Sequence, residues 1–200
     1  MKQIMISINP KHVLNILKGK KTIEIRKTKP REYLDYLIDK ELKCPIDVYI
    51  YCTKGKPYVA RTSAGYTTTN DPDCVKTNEV LNGKVVAKFT LNKIDDYVNG
   101  RKWSWKSGAP MWGACNDYEA ILKPSCLTED ELYDYREDLS FYAWHIDNLA
   151  VFDEPRELKS FLVYDHSVSG IGVLGQRKTF QILKPLTRAP QSWCYIEEGD

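Results

Sequence analysis

An α+β fold is predicted for this 200-residue sequence: a mixed, largely antiparallel sheet or small β-barrel with helices packed outside it. Three observations predict it. Segments with period-two alternation outnumber segments with helical spacing. Few strand–helix–strand units occur. No internal repeat or low-complexity linker divides the chain. Residues 1–200 therefore read as one domain, with irregular insertions near 56–80, 95–125 and 165–180. Hydrophobic residues make up 42% and charged residues 28%, which excludes wholesale disorder.

The elements follow in order. Ile4 to Ile8 alternates apolar and polar and reads as a strand. Asn9 is placed to cap a helix with Pro10 at its first position. Val13, Leu14, Ile16 and Leu17 give that helix, residues 10–18, its apolar stripe, and Gly19 ends it. Lys21 to Lys27 is a second strand. Tyr33, Leu34, Leu37 and Ile38 predict a helix over 32–42. Asp47 to Thr53 is a strand, and Thr62 to Asn82, rich in Thr, Asn, Asp and Gly, reads as a long loop. Gly83 opens a strand over 84–91. Residues 95–125 show no clean period. Thr128-Glu-Asp-Glu131 matches a capping box and starts a helix over 129–137. A strand over 141–151 follows, then a turn or short helix from Asp153 through Leu158 and Phe161. A polar excursion covers 165–179. Strands over 179–183 and 192–196 close the chain.

Charge is unevenly spread. Between Met1 and Arg31 nine basic residues face one acid, Glu24. Between Leu127 and Ser160 ten acids face three bases, and Arg177, Lys178, Lys184 and Arg188 make the end basic again. Basic termini that meet in space would form a face for an anionic polymer; a solvated face with ordinary ion pairs is the plainer alternative.

No apolar run approaches the ~20 residues that cross a bilayer, and the N-terminus lacks a signal-peptide core. The expectation is a cytoplasmic protein without a membrane partner. Its six cysteines, at 44, 52, 74, 115, 126 and 194, are widely spaced and read as thiols. His12, His145 and His166 lack metal-ligand spacing, so no metal and no cofactor is assigned.

The most informative segment is Gly19-Lys20-Lys21-Thr22-Ile23-Glu24-Ile25-Arg26. On a strand, Ile23 and Ile25 face one way while Thr22, Glu24 and Arg26 face the other. If the isoleucines pack on a core, Glu24 and Arg26 project together, with Lys21 at the turn. Such a trio hydrogen-bonds a polar ligand edge or supports proton transfer. An exposed cross-strand ion pair is the competing interpretation. Two further signals are weaker. Gly170-Ile-Gly-Val-Leu-Gly175 spells G-x-G-x-x-G without the strand and helix a dinucleotide site needs, and reads as a loop. Arg101-Lys-Trp-Ser-Trp-Lys106 interleaves bases and aromatics, as a single-strand stacking surface does, or else plugs an insertion onto the sheet.

With Ser7-Ile8-Asn9-Pro10 ahead of it, the Gly19–Arg26 segment resembles the ASCH family of PUA-like domains, which carries G-x-K-x-x-E-x-R after its first helix. Gly19, Lys21, Glu24 and Arg26 are the matches. Tyr49 to Thr53, Gly83 to Val86, Tyr142 to Ile146 and the closing Pro190 to Tyr195 extend the likeness, the last resembling phage and prophage members. The resemblance implies a small PUA-like β-barrel with flanking helices. It implies a cleft that binds RNA or a modified nucleoside or nucleotide, lined by Lys20, Lys21, Glu24, Arg26, Tyr51, Thr53, Gln191, Ser192 and Trp193. Glu24 and Arg26 would read polar edges, Lys21 and the N-terminal bases would meet phosphate or a developing anion, and Trp193 would stack, or else be a core residue beside the final strand.

Some family members deacylate acetylcytidine with a threonine where this chain has Glu24. An amidohydrolase on acylated nucleosides, or a metal-independent ribonuclease, would here use Lys21 and Glu24 as catalytic residues. Thr22 shares the face of Glu24 on an ideal strand, about 7 Å away. A phage-type protein-interaction module using the Trp103, Trp105 and Trp112 insertion is the third alternative.

Overall fold

A computed structural model describes residues 3–30, 45–74, 80–106, 109–113, 116–165, 169–171, 177–179 and 182–199. The helix expected over 32–42, His166, Cys44, Cys115 and most of the Gly170–Gly175 run lie outside them.

The strands in chain order are β1 (Gln3–Ile8), β2 (Ile23–Arg26), β3 (Ile46–Cys52), β4 (Tyr58–Thr62), β5 (Gly65–Thr69), β6 (Val85–Leu91), β7 (Ile94–Val98), β8 (Arg101–Lys106), β9 (Ala109–Trp112), β10 (Phe141–His145), β11 (Asp147–Arg156), β12 (Phe161–Asp165), β13 (Ser169–Ile171), β14 (Arg177–Thr179), β15 (Ile182–Pro185) and β16 (Trp193–Glu198). The helices are α1 (Pro10–Leu17), α2 (Glu119–Ser125) and α3 (Glu129–Tyr135).

The expected α+β class is what the molecule has. Seven strands form one sheet in the order β11-β6-β3-β1-β16-β12-β15, and five form another in the order β2-β10-β7-β8-β9. β1 and β3 run parallel, and the remaining pairs are antiparallel. Two nearly continuous chain stretches pass from sheet to sheet. β6 belongs to the larger sheet and β7 to the smaller; β11 belongs to the larger and β10 to the smaller. The kinks at Asn92–Lys93 and Ile146 are thus the corners that join the sheets.

Alternation decides what each face buries. Ile4, Ile6 and Ile8 of β1 pack with Val48, Ile50, Phe89, Leu91 and Trp144, under Val13 and Ile16 of α1. Met5 points the other way, into a cluster with Tyr49, Tyr51, Val85 and Phe161. Ile23 and Ile25 join Tyr97, Ile121, Leu132 and Phe141, so α2 and α3 cover the outer face of the smaller sheet.

The expected caps form. The Asn9 side chain accepts from the Lys11 amide at 3.0 Å with Pro10 at the first helical position, and the Thr128–Glu131 capping box is complete. Gly19, at φ +68°, turns the chain from α1 toward β2.

Three expectations are corrected and a fourth is narrowed. The loop expected over 62–82 contains β5, which pairs with β4 as a hairpin: its threonines face a partner strand, and Gly65 supplies the turn at φ +109°. The insertion expected to be irregular over 95–125 contains the β7-β8-β9 meander and α2. Its first turn is Asn99-Gly100, both at positive φ, joining Val98 to Arg101. That dipeptide is a strong hairpin signal. The single strand expected over 141–151 is two, β10 and β11, which part at Ile146 into different sheets, and β11 runs on to Arg156, where Val85 of β6 still offers a partner. Of the turn or short helix expected next, the turn is what forms, a single 3-10 turn at Leu158–Ser160.

Candidate functional site

β2 is four residues long and buried on both faces. Ile23 and Ile25 face α2 and α3, so Glu24 and Arg26 face the interior between the two sheets. Antiparallel pairing puts Glu24 opposite Trp144 and Arg26 opposite Tyr142 on β10.

Lys21, Glu24 and Arg26 are 3%, 8% and 6% exposed, and they form one cluster. Lys21 Nζ stands 3.2 Å from Glu24 Oε2, and Arg26 Nη2 stands 3.0 Å from Glu24 Oε1. Lys21 Nζ also donates to the Ser125 carbonyl at 2.7 Å, where α2 ends and its carbonyls carry partial negative charge. Arg26 reaches across to the larger sheet. Its Nη2 donates to the Ser7 carbonyl at 2.9 Å, and its Nη1 donates to the Ser192 carbonyl and hydroxyl at 3.3 and 3.4 Å. The guanidinium therefore ties β2 to the end of β1 and the segment entering β16. The exposed-ion-pair interpretation does not hold.

These side chains form one wall of a cavity of about 390 Å³. That volume falls within the roughly 300–1,000 Å³ typical of small-ligand sites. Ser7, Asn9 and His12 line it from β1 and α1; Leu127, Glu131, Asp134 and Tyr135 line it from α3 and the segment before it. Lys11 and Glu131 pair at 2.5 Å and so link α1 to α3.

Electrostatics set the protonation states. Burial alone would raise the Glu24 carboxyl, but the Lys21 ammonium and the Arg26 guanidinium outweigh it and hold the group below its ordinary value. It is a carboxylate at neutral pH. Burial, reinforced by Lys21, lowers His12, so its imidazole is neutral at pH 7. The side-chain bond from Lys11 and the amide of Thr128's capping box keep Glu131 low.

Three buried atoms of this wall lack a hydrogen-bond partner: His12 Nδ1, Glu24 Oε2 and Arg26 Nε. Glu24 Oε2 nevertheless meets the Lys21 ammonium at 3.2 Å, a contact that helps hold the carboxyl low. An unpaired buried polar group costs about 1–3 kcal/mol. His12 Nδ1 and Arg26 Nε mark capacity that the fold itself does not use.

Of the residues expected at the site, Lys21, Glu24 and Arg26 line the cavity. Ser192 touches it indirectly, through Arg26. The Thr53 amide donates to the carbonyl of the cavity-lining Ile8 at 3.0 Å. Lys20 and Gln191 are exposed and outside the lining, and Thr22 is exposed as well. Tyr51 is buried in the cluster with Met5 and Phe161. Trp193 is half-buried: its ring packs on Trp144 at 6.0 Å and edge-on to Tyr195 at 5.4 Å, and its Nε1 donates to the Thr28 hydroxyl at 2.9 Å. The aromatic ring that lines the cavity is Tyr135.

Sequence reasoning missed His12, Glu131, Asp134 and Tyr135. The capping box fixes where α3 begins, and Glu131 and Tyr135 then share a face at i, i+4 spacing. Nothing in the sequence says that this face meets β2. Among the described residues no three His, Cys, Asp or Glu side chains converge as a metal site requires, and no helix is long and apolar enough to cross a membrane.

No family profile matches the chain, and no curated protein matches it. Solved structures similar to it include the crystal structure of ASCH from Zymomonas mobilis, at 16% identity over 78% of this chain and 74% of that one, with a TM-score of 0.45. A serine-to-alanine mutant of that protein aligns at 17% identity over 78% and 75%, TM-score 0.46. A tyrosine-to-phenylalanine mutant aligns at 16% over 79% and 77%, TM-score 0.47.

Proposed function

We propose that residues 1–200 form one ASCH-type, PUA-like unit whose cavity binds a nucleobase, either of an RNA or of a modified nucleoside. One observation carries this reading. The three side chains of the G-x-K-x-x-E-x-R pattern converge, buried, on one wall of a small-ligand cavity, where Arg26 Nε and His12 Nδ1 lack a hydrogen-bond partner. A flat heterocycle with neighbouring donors and acceptors satisfies both, and Tyr135 offers an aromatic surface. The exposed Lys18 and Lys20, on the turn that leads into β2, are positioned for the phosphates of a longer RNA. The thiols of Cys52, Cys126 and Cys194 are free, which suits a reducing cytoplasm.

The test is thermal shift against nucleosides, acylated nucleosides, nucleotides and short RNAs, with product analysis of every hit. A ligand at a hundredfold excess over its Kd stabilises by about 2.7 kcal/mol. A nucleoside or RNA that shifts the protein, and does so far less with Glu24→Gln, is the expected result. No shift with any of them overturns the reading.

His12 favours a second reading, hydrolysis in the same cavity. Glu24 is held ionised by two cations and is a weak base. The neutral imidazole of His12 is the better acceptor for a proton from attacking water, with Lys21 facing the developing negative charge. This reading requires product in the assay above, lost in both His12→Asn and Lys21→Ala.

A further inference from the structure

We infer that the five-stranded sheet carries a stacking surface for single-stranded RNA, on the face that Arg26 presents and ending at Trp112. The inference rests on the nucleobase reading above and gives the neighbouring bases of an RNA a second place to bind.

One register row crosses the whole sheet. Arg26 of β2 stands opposite Tyr142 of β10, and Tyr142 opposite Asp96 of β7. Asp96 stands opposite Trp103 of β8, and Trp103 opposite Trp112 of β9. Residues directly opposite on neighbouring strands point to the same face, so these five side chains share one. Strands lie about 4.8 Å apart, so the row reaches about 19 Å from β2 to the far edge of the sheet.

The two faces of this sheet differ in what covers them. On the outer face Tyr97 stacks on Phe141 at 4.8 Å and packs with Tyr118 and Ile121. On the row's face, the core shared with the larger sheet takes in Trp144 and reaches Ile94 and Tyr142. Farther along, the face opens. Val98, which alternation puts on the side of Asp96, is 37% exposed, and Trp112 is 51% exposed. They are two of the four large hydrophobic residues exposed among the described residues. Single exposed apolar residues are ordinary, but two on one face of one meander mark a contact surface.

Cations are set among the rings. Lys29 Nζ lies 5.0 Å from the centre of the Tyr142 ring and 2.5 Å from Asp96. Arg101, exposed and opposite Val98, shares that face. With Arg26 and Glu24 at its start, the row's face carries three cations and two carboxylates. Aromatic rings interleaved with cations fit bases joined by phosphates, and a sheet whose aromatics stack two or three bases is a known way to hold single-stranded RNA. A protein partner would instead favour a contact centre depleted of charge. The meander is also held in place: the Gly100 amide donates to the Leu139 carbonyl at 3.1 Å and the Gly113 amide to the Lys102 carbonyl at 2.8 Å. A preformed surface loses little freedom on binding.

The experiment is calorimetric titration with a single-stranded RNA of about eight nucleotides, the same RNA as a duplex, and a free nucleoside, on the wild type, Trp112→Ala, Trp112→Phe and Glu24→Gln. The single strand should bind at least about tenfold tighter than the nucleoside. Trp112→Ala should remove most of that gain and Trp112→Phe should keep it, while the nucleoside binds all three alike. Trp112 is exposed, so neither of its variants should disturb the fold. A single strand that binds Trp112→Ala as it binds the wild type overturns the inference while the nucleobase reading survives. A duplex that binds as well as the single strand overturns it too, because paired bases offer no free ring face. Trp112-dependent binding of the single strand, with no nucleoside bound and no loss in Glu24→Gln, leaves the surface standing and overturns the nucleobase reading. A dimer in sedimentation that Trp112→Ala dissolves, with no single strand bound, makes the face a contact between copies and overturns the inference. No binding by any probe overturns both.

Discussion

Arg26 Nη2 lies 3.0 Å from Glu24 Oε1, on a four-residue strand where both residues are more than nine-tenths buried. The same nitrogen donates to the Ser7 carbonyl at 2.9 Å, so the ion pair also fastens one sheet to the other. Removing one partner of a buried pair costs about 3–5 kcal/mol, because the other charge stays buried and unpaired. Arg26→Met should lower stability by that order in urea unfolding. Arg26→Lys should lose the fork to Ser7 and Ser192 and fall between. Glu24→Gln combined with Arg26→Met should cost less than the sum of the two, since they share one interaction.

Stability should fall as the solution is acidified, and His12, Glu24 and Asp95 each add a step to that loss. His12 is lowered from 6.5 by burial and Lys21, so the unfolded chain takes up a proton that the folded one refuses; stability is complete above about pH 6.5 and declines below it. Glu24, depressed from 4.5 by Lys21 and Arg26 against its burial, adds loss below about pH 4.5. Asp95, depressed from 3.8 against its own burial by bonds from His145 at 2.9 Å and Lys102 at 3.0 Å, adds loss below about pH 3.8. Melting temperature measured from pH 8 to pH 3 should show this order. His12→Asn should flatten the segment between pH 6.5 and the onset of the Glu24 loss. An unchanged profile in that variant would contradict the burial of a neutral imidazole.

Trp193 carries structure instead of serving as a free stacking surface. Its ring contacts Trp144 and Tyr195, and its indole N–H is satisfied by Thr28. Trp193→Ala should destabilise by on the order of 3 kcal/mol. Thr28→Val, which leaves the indole donor unpaired, should cost about 1 kcal/mol. Tyr135→Leu should instead weaken ligand binding with a smaller effect on chemical unfolding.

Thr128 caps the helix that brings Glu131, Asp134 and Tyr135 to the cavity. Thr128→Ala should cost about 1 kcal/mol of stability. It should also weaken ligand binding although residue 128 itself does not line the cavity. Ligand affinity equal to the wild type would mean that α3 plays no part in binding.

The alternation Ile23-Glu24-Ile25-Arg26 told correctly which side chains pack and which project, because a strand's period is two whatever surrounds it. Asn9-Pro10 and Thr128–Glu131 marked helix starts for the same reason: their signals are local. The hairpin turn at Asn99-Gly100 is a local signal of the same kind, although the residues around it lack clean alternation. What could not be read was long-range. Ser125, more than a hundred positions from Lys21, supplies its carbonyl partner, and Ser192, farther still, supplies that of Arg26. His12 looked like an ordinary helix residue until the Gly19 turn folded β2 back beside it. Trp193 is a stacking surface or a core residue as far as its sequence neighbours tell, because nothing local reveals that Trp144 and Tyr195 flank it.

The most direct measurement is a titration of the 15N-labelled protein with cytidine, following backbone amide shifts. The account predicts perturbations gathered on Ser7 to His12, Lys21 to Arg26 and Glu131 to Tyr135, and their loss in Glu24→Gln and Asp134→Asn. Perturbations confined to the Arg101–Trp112 hairpin, whose Trp112 is 51% exposed, would contradict it, as would saturating binding that leaves Lys21 to Arg26 unmoved.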